Sequence, residues 1–165
     1  ALSSRRSSVL LALRAFAPAA AIGAVQGLLV ALVVQLAAGY DAGAWWTFAG
    51  LAVVAGIAFA AVNQALVAVF GGAGRWVSAL IGVLAVATGI VSTVPGVLAA
   101  VAGLMPTTPA YTAMLAALTS AGGLGAGLAG MIVWAALAVV VTIIAVARRR
   151  TAKPSTLLQP APALA

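Results

Sequence analysis

Long uncharged stretches of apolar side chains constrain this chain more than any motif does. Residues 18–38, for example, are 21 residues without a charge, and at 1.5 Å per helical residue they extend about 30 Å. That length crosses the hydrocarbon core of a bilayer. Over the whole sequence 65% of residues are hydrophobic and 5% are charged. A soluble domain carries about 25% charged residues. The predicted fold is therefore an all-α, polytopic integral membrane helix bundle.

Four apolar segments are predicted to span the membrane. They cover residues 18–38, 45–70, 76–93 and 124–147. Trp45 and Trp46 open the second segment and Trp76 opens the third, as is typical of indoles at a membrane interface. Pro18 suits the first turn of a helix, so we expect the first span to begin there.

The two ends of the chain carry most of its positive charge. Residues 1–16 hold Arg5, Arg6 and Arg14 with apolar residues at helical spacing, which predicts a cytoplasmic interfacial helix. A signal peptide is an alternative for this region, although Arg14 and a proline interrupt the apolar run that such a peptide needs. Residues 151–165, rich in Pro, Ala and Leu, are predicted to form a disordered cytoplasmic tail.

Prolines divide residues 95–121 into two short apolar pieces. Neither piece is long enough to cross a bilayer as a helix. We therefore expect an extracytoplasmic re-entrant or interfacial helix pair before the last span. The residues that mark this segment are Pro95, Pro106, Pro109 and Tyr111.

The positions of the basic residues predict the orientation of the bundle. Four spans place every Lys and Arg on one side of the membrane and Asp41, the only acidic residue, on the other. The positive-inside rule makes the basic side cytoplasmic, so both ends of this chain are predicted to face the cytoplasm across a cell membrane. The arginines of this cytoplasmic anchor are Arg5, Arg6, Arg14, Arg75, Arg148, Arg149 and Arg150.

The composition argues against catalysis by this chain. With no His, no Cys and a single carboxylate, neither an acid/base pair nor a metal-ligand set can form. Gly125, Gly127 and Gly130 match a dinucleotide-binding spacing by letter, but they open a lipid-length helix and follow no strand. We predict no enzymatic activity, no cofactor and no metal. The net charge of +7 indicates contact with a lipid bilayer and not with nucleic acid.

Polar side chains inside the predicted spans form the candidate site. Each lies about 9–12 Å from the cytoplasmic end of its span, so all are predicted to share one intramembrane layer. They either bond neighbouring helices together or line a polar path. The members of this layer are Gln26, Asn63, Gln64 and Thr142.

Two pairs of glycines, each spaced four residues apart, allow close approach of helix backbones. The pairs are Gly23 with Gly27 and Gly123 with Gly127. They indicate either close packing, within the subunit or against a partner, or a flexible gating element. Glycine faces of this kind also favour a dimer.

One stretch resembles a known family. Asn63-Gln-Ala-Leu-Val-Ala-Val-Phe-Gly-Gly-Ala-Gly-Arg75, followed by an aromatic residue and an apolar span, resembles part of the YhgE/Pip family. Those are membrane proteins related to ABC-2 type permeases. Leu104 to Tyr111 is similar to the family's Leu-Pro-x-Thr-Tyr segment, with two extra residues before the tyrosine, and Arg5 to Gln26 resembles a cytoplasmic loop leading into a span.

The resemblance covers roughly residues 1–150 and implies the last four spans of a type-2 ABC exporter-like membrane domain. The chain is then either a fragment lacking an N-terminal span and an ectodomain, or a divergent short member. The family also implies a re-entrant pair, for which residues 95–121 are the candidate, and a cytoplasmic coupling helix, for which residues 6–16 are the candidate.

The implied function is export of a lipophilic or envelope-related substrate with a separate ATPase, as a homo- or hetero-oligomer. The alternative is a non-transporting membrane anchor or assembly protein that presents an ectodomain or holds a partner.

Overall fold

Helices account for the regular structure of residues 7–90 and 95–150, the part that the computed structural model describes. No strand occurs there, which confirms the all-α prediction. The helices are α1 (Ser8–Ala38), α2 (Ala42–Phe70), α3 (Ala73–Ile90), α4 (Gly96–Gly103), α5 (Thr107–Thr119) and α6 (Leu124–Arg150). Of these, α1, α2 and α6 are long and apolar enough to cross a membrane. The described apolar part of α3, Ala73–Ala85, is shorter, so a fourth span stays a prediction.

The first helix differs from its prediction. The hydroxyl of Ser7 accepts a hydrogen bond from the Leu10 amide at 3.3 Å, so the helix begins well before Pro18. Pro18 lies inside α1 and not in its first turn, and no separate interfacial helix forms over the described part of residues 1–16. Proline removes one backbone hydrogen bond, which a long, well-packed apolar helix tolerates. Arg5 and Arg6 lie outside the described residues.

The three long helices pack side by side with alternating direction. Gly23 of α1 lies against Gly56 of α2, and further along α1 Gly27 lies against Ala52, so the two helices are antiparallel. In α6, Met131 packs with the N-terminal half of α2 and Ala138 packs with its C-terminal half, so α2 and α6 run parallel. The α6 helix therefore also runs antiparallel to α1.

This arrangement separates the charges along the bundle. The first turns of α1 and the last turns of α2 and α6 meet at one end, which therefore carries Arg14, Arg75, Arg148 and Arg149. Asp41 lies at the opposite end, where its carboxylate accepts hydrogen bonds from the amides of Gly43 and Ala44 at 2.9 and 3.1 Å. Charges at the two ends suit a bundle that spans a membrane, because hydrating water is available only there.

Small residues fill the core and large ones cover the outside. The buried side chains are mainly alanines of α2 and α5, with Met131 of α6 fully buried among them. Large apolar side chains on all three long helices are exposed, up to 88% for Leu36. Such a distribution suits a lipid solvent, in which helices associate by close backbone packing and not by hiding apolar surface.

A pair of short helices precedes α6, as predicted for residues 95–121. Ala110, near the start of α5, packs with Ala55 at the middle of α2, whereas Leu118, near its end, packs with the cluster around Phe48. The break between α4 and α5 therefore lies about halfway along α2, and α5 runs from there towards the Asp41 end. It occurs at residues 104–106, and Pro109 belongs to the first turn of α5.

Candidate functional site

The predicted layer of four polar side chains does not form. Because Gly23 faces Gly56 and Gly27 faces Ala52, Gln26 lies level with residue 53 of α2. That level is ten residues, about 15 Å, from Asn63. The prediction was wrong for Gln26 because it counted depth from Pro18, whereas α1 begins at Ser8. Gln26 is exposed and forms no hydrogen bond with a described residue.

Gln64 and Thr142 do come together, at a junction of the three long helices. The Gln64 amide nitrogen donates to the carbonyl oxygen of Ala12 in α1 over a long 3.5 Å. Thr142, only 5% exposed, donates from its hydroxyl to the Ala138 carbonyl of its own helix at 2.9 Å. The junction bonds α2 to α1 and buries the Thr142 hydroxyl of α6 nearby. Of the two roles considered for the predicted layer, this arrangement corresponds to the bonding of neighbouring helices.

A small cavity adjoins this junction. Its volume is about 10 Å³, close to the lower limit for one water molecule. The buried Oε1 atom of Gln64 has no hydrogen-bond partner among the described residues. The lining is otherwise apolar apart from Thr142; the lining residues are Ala12, Leu13, Phe16, Ala61, Gln64, Val139 and Thr142. The space is far too small for a substrate path.

Asn63 points to a different helix from its neighbour Gln64. Its Oδ1 atom accepts a hydrogen bond from the Ser78 hydroxyl of α3 at 2.7 Å. The Asn63 side chain is exposed, and its amide hydrogens reach no described acceptor. Consecutive residues of a helix point about 100° apart, which explains why these two amides serve two different helix contacts. Ser78 was not among the predicted residues. Its position one turn beyond Arg75 in the sequence could have indicated a polar contact with α2.

The glycine pairs are used within the subunit. A side chain on Gly23 or Gly27 would collide with the backbone of α2, and one on Gly127 would collide with Pro109 and Ala113 of α5. Gly123 precedes α6 with a φ of +112°, a conformation that L side chains rarely adopt. Close packing within the subunit therefore accounts for these glycines. They no longer support a dimer, because their faces are occupied.

Several backbone polar groups at the break between α4 and α5 are paired. The Thr108 hydroxyl donates to the Ala102 carbonyl at 2.6 Å, and the Met105 amide donates to the same carbonyl at 2.9 Å. Pro106 is buried and, like Pro109, brings no amide hydrogen to the first turn of α5, where helical amides usually lack partners. Non-helical backbone inside a bilayer needs such pairing. Thr108 was not predicted, although its position between two prolines was visible.

Two further polar contacts hold the turn between α1 and α2. The Trp45 indole donates to the Ala31 carbonyl at 3.0 Å, and the Gln35 amide donates to the Tyr40 carbonyl at 3.0 Å. Trp45 therefore faces α1. Trp46, 65% exposed, and Trp76, 80% exposed near the start of α3, have the position expected of a membrane-interface tryptophan.

Comparisons with family models, with curated proteins and with solved structures each give no match to this chain. The resemblance to the YhgE/Pip family therefore stays a prediction from the residues of the first subsection.

Proposed function

We propose that this chain is the membrane-spanning part of a type-2 ABC exporter-like permease. It would move a lipophilic or envelope-related substrate, work with a separate ATPase and sit in a cell membrane with its arginine-rich end in the cytoplasm. The observation that carries the proposal is the α4–α5 pair. Its break lies halfway along α2. The Thr108 hydroxyl bonds across the break to the Ala102 carbonyl of α4, and the pair comes directly before the last long helix.

The length of α1 and its exposed arginine support a cytoplasmic partner. The 31 residues of α1 extend about 46 Å, some 15 Å more than a bilayer core. Arg14 is exposed within the first two turns, at the same end as the arginines of α6. The first turns of α1 would therefore contact the ATPase, which is the role predicted for a separate coupling helix.

A second function is favoured by the packed interior. The cavity at Gln64 holds about 10 Å³, and the glycine seams are closed within the subunit. A membrane anchor or assembly protein that holds a partner needs no path at all. Transport by this chain would require a second copy or another membrane subunit to complete the path.

Capture of the ATPase separates these two functions. The intact protein is extracted from its native membranes in mild detergent, and bound proteins are identified by mass spectrometry and ATP hydrolysis. We expect an ATPase with the unaltered chain and with Ala37→Glu, and loss of it with Arg14→Glu, because the two variants add a carboxylate at opposite ends of α1. Absence of any ATPase under crosslinking conditions would leave the anchor as the function.

A further inference from the structure

A trough runs along α2 between α1 and α3. Asn63 contacts α3 through Ser78, and the next residue, Gln64, contacts α1 through Ala12, so the two helices lie about 100° apart around α2. Within the described residues, α1 and α3 each pack against α2 but not closely against each other. They form two walls, and the exposed Asn63 side chain lies on the floor.

Small and basic residues form the α3 wall. Arg75 and Gly82 are seven residues apart, about 20° short of two full turns, so they stand in line along the helix. Both are exposed. Because α3 runs antiparallel to α2, they lie on the flank of Ser78 that faces α1, whereas Ile81 on the opposite flank is half-buried. A side chain on Gly82 would meet no described atom within 4 Å. The trough is therefore open beside Gly82.

The polar groups follow a fixed order with depth. The Arg75 guanidinium lies at the arginine end of the bundle, and Ser78, which holds Asn63, follows about 4.5 Å deeper. Gly82 and its apolar surroundings come one turn further in. A cation, then an amide donor, then an apolar channel match the phosphate, the ester carbonyls and the acyl chain of a glycerophospholipid.

We propose that this trough binds one glycerophospholipid from the leaflet on the arginine side. The phosphate pairs with Arg75, an ester carbonyl accepts a hydrogen bond from the Asn63 amide, and one acyl chain lies beside Gly82. The lipid supplies the acceptor that Asn63 lacks in the described structure, and an amide without one is costly at this depth. Gln26 lies about 15 Å deeper than Asn63, beyond the reach of the headgroup. The site does not depend on transport.

The test is native mass spectrometry of the full chain in micelles titrated with palmitoyl-oleoyl phosphatidylglycerol or with dioleoylglycerol, which lacks the phosphate. We expect one bound phosphatidylglycerol and weaker binding of dioleoylglycerol. Arg75→Gln should weaken phosphatidylglycerol binding about fivefold or more, since one basic residue at a membrane surface contributes about 1 kcal/mol. Gly82→Leu should weaken binding of both lipids, because its side chain enters the trough.

Matched variants distinguish binding in this trough from non-specific attraction of lipid to the arginine-rich end of the protein. Arg14→Gln removes another exposed arginine at the same end, Gly50→Leu fills another open glycine, and Gln26→Leu removes a deeper amide; all three should bind as the unaltered chain does. Equal losses for Arg14→Gln and Arg75→Gln, or equal affinity for the two lipids, would overturn the proposal. So would disulfide crosslinking of Gly82→Cys between two copies in membranes, which would show a second copy in the trough.

Discussion

The seam between α1 and α2 offers the sharpest test of the fold. A Cβ atom placed on Gly27 would lie 2.5 Å from the Ala52 carbonyl carbon and 2.9 Å from the Val53 nitrogen, whereas ordinary contacts are 3.4–4 Å. The partner atoms belong to helical backbone and cannot rotate away. Gly27→Ala must therefore push the helices apart by about 1 Å, and a gap of that size forfeits a quarter to a half of each dispersion contact.

Overpacking of this kind costs about 1–3 kcal/mol, against a gain of about 0.5–1 kcal/mol from replacing glycine by alanine in a helix. We expect Gly27→Ala to lower the free energy of unfolding by about 1–2 kcal/mol. The control is Gly50→Ala in α2, where an added Cβ meets no atom within 4 Å and only the helix-propensity gain remains. The two substitutions should thus have opposite signs.

The assay is unfolding of the purified chain in mixed micelles with increasing dodecyl sulfate, followed by circular dichroism and tryptophan fluorescence. Trp45 reports on the same helix pair, because its indole is bonded to Ala31 of α1. If Gly27→Ala is as stable as Gly50→Ala, the backbones do not touch at this point and the register of α1 against α2 is wrong.

Three further predictions use the same protein. Gln64→Met should leave the free energy of unfolding unchanged or raise it by about 1 kcal/mol, because it removes a buried carbonyl without a partner and loses only the long 3.5 Å bond to Ala12; a decrease of more than about 1 kcal/mol would show that the amide is well bonded. Thr108→Val should cost about 1–2 kcal/mol and speed hydrogen exchange in α4, whereas Thr112→Val, which loses only a bond within its own helix, should cost less; equal costs would contradict a role for Thr108 at the break. Arg75→Cys should be labelled from the cytoplasm and Thr47→Cys from outside, and the reverse pattern would refute the predicted orientation of the bundle in the membrane.

The predictions that succeeded depend on composition and on strong breakers. Apolar length located the three long helices, and the prolines around residue 106 located the helix pair, because each property acts within a few residues of the chain. The start of α1 was missed because Ser7 caps the helix, while Pro18 looked like the stronger signal. The prediction of a four-residue layer was wrong because depth was counted separately in each helix.

Sequence alone predicted a lipid solvent, and it determined the helical class and the separation of the described arginines from Asp41. These follow from local chemistry, since a bilayer admits long uncharged helices and keeps charges at its surfaces. Only the tertiary structure decided which side chains meet. Gly23 and Gly27 fix the register of α1 on α2, and that register moves Gln26 away from Asn63. Asn63 and Gln64 are neighbours in the chain but are directed to α3 and α1, because a helix turns 100° at each residue and contacts depend on where the other helices lie.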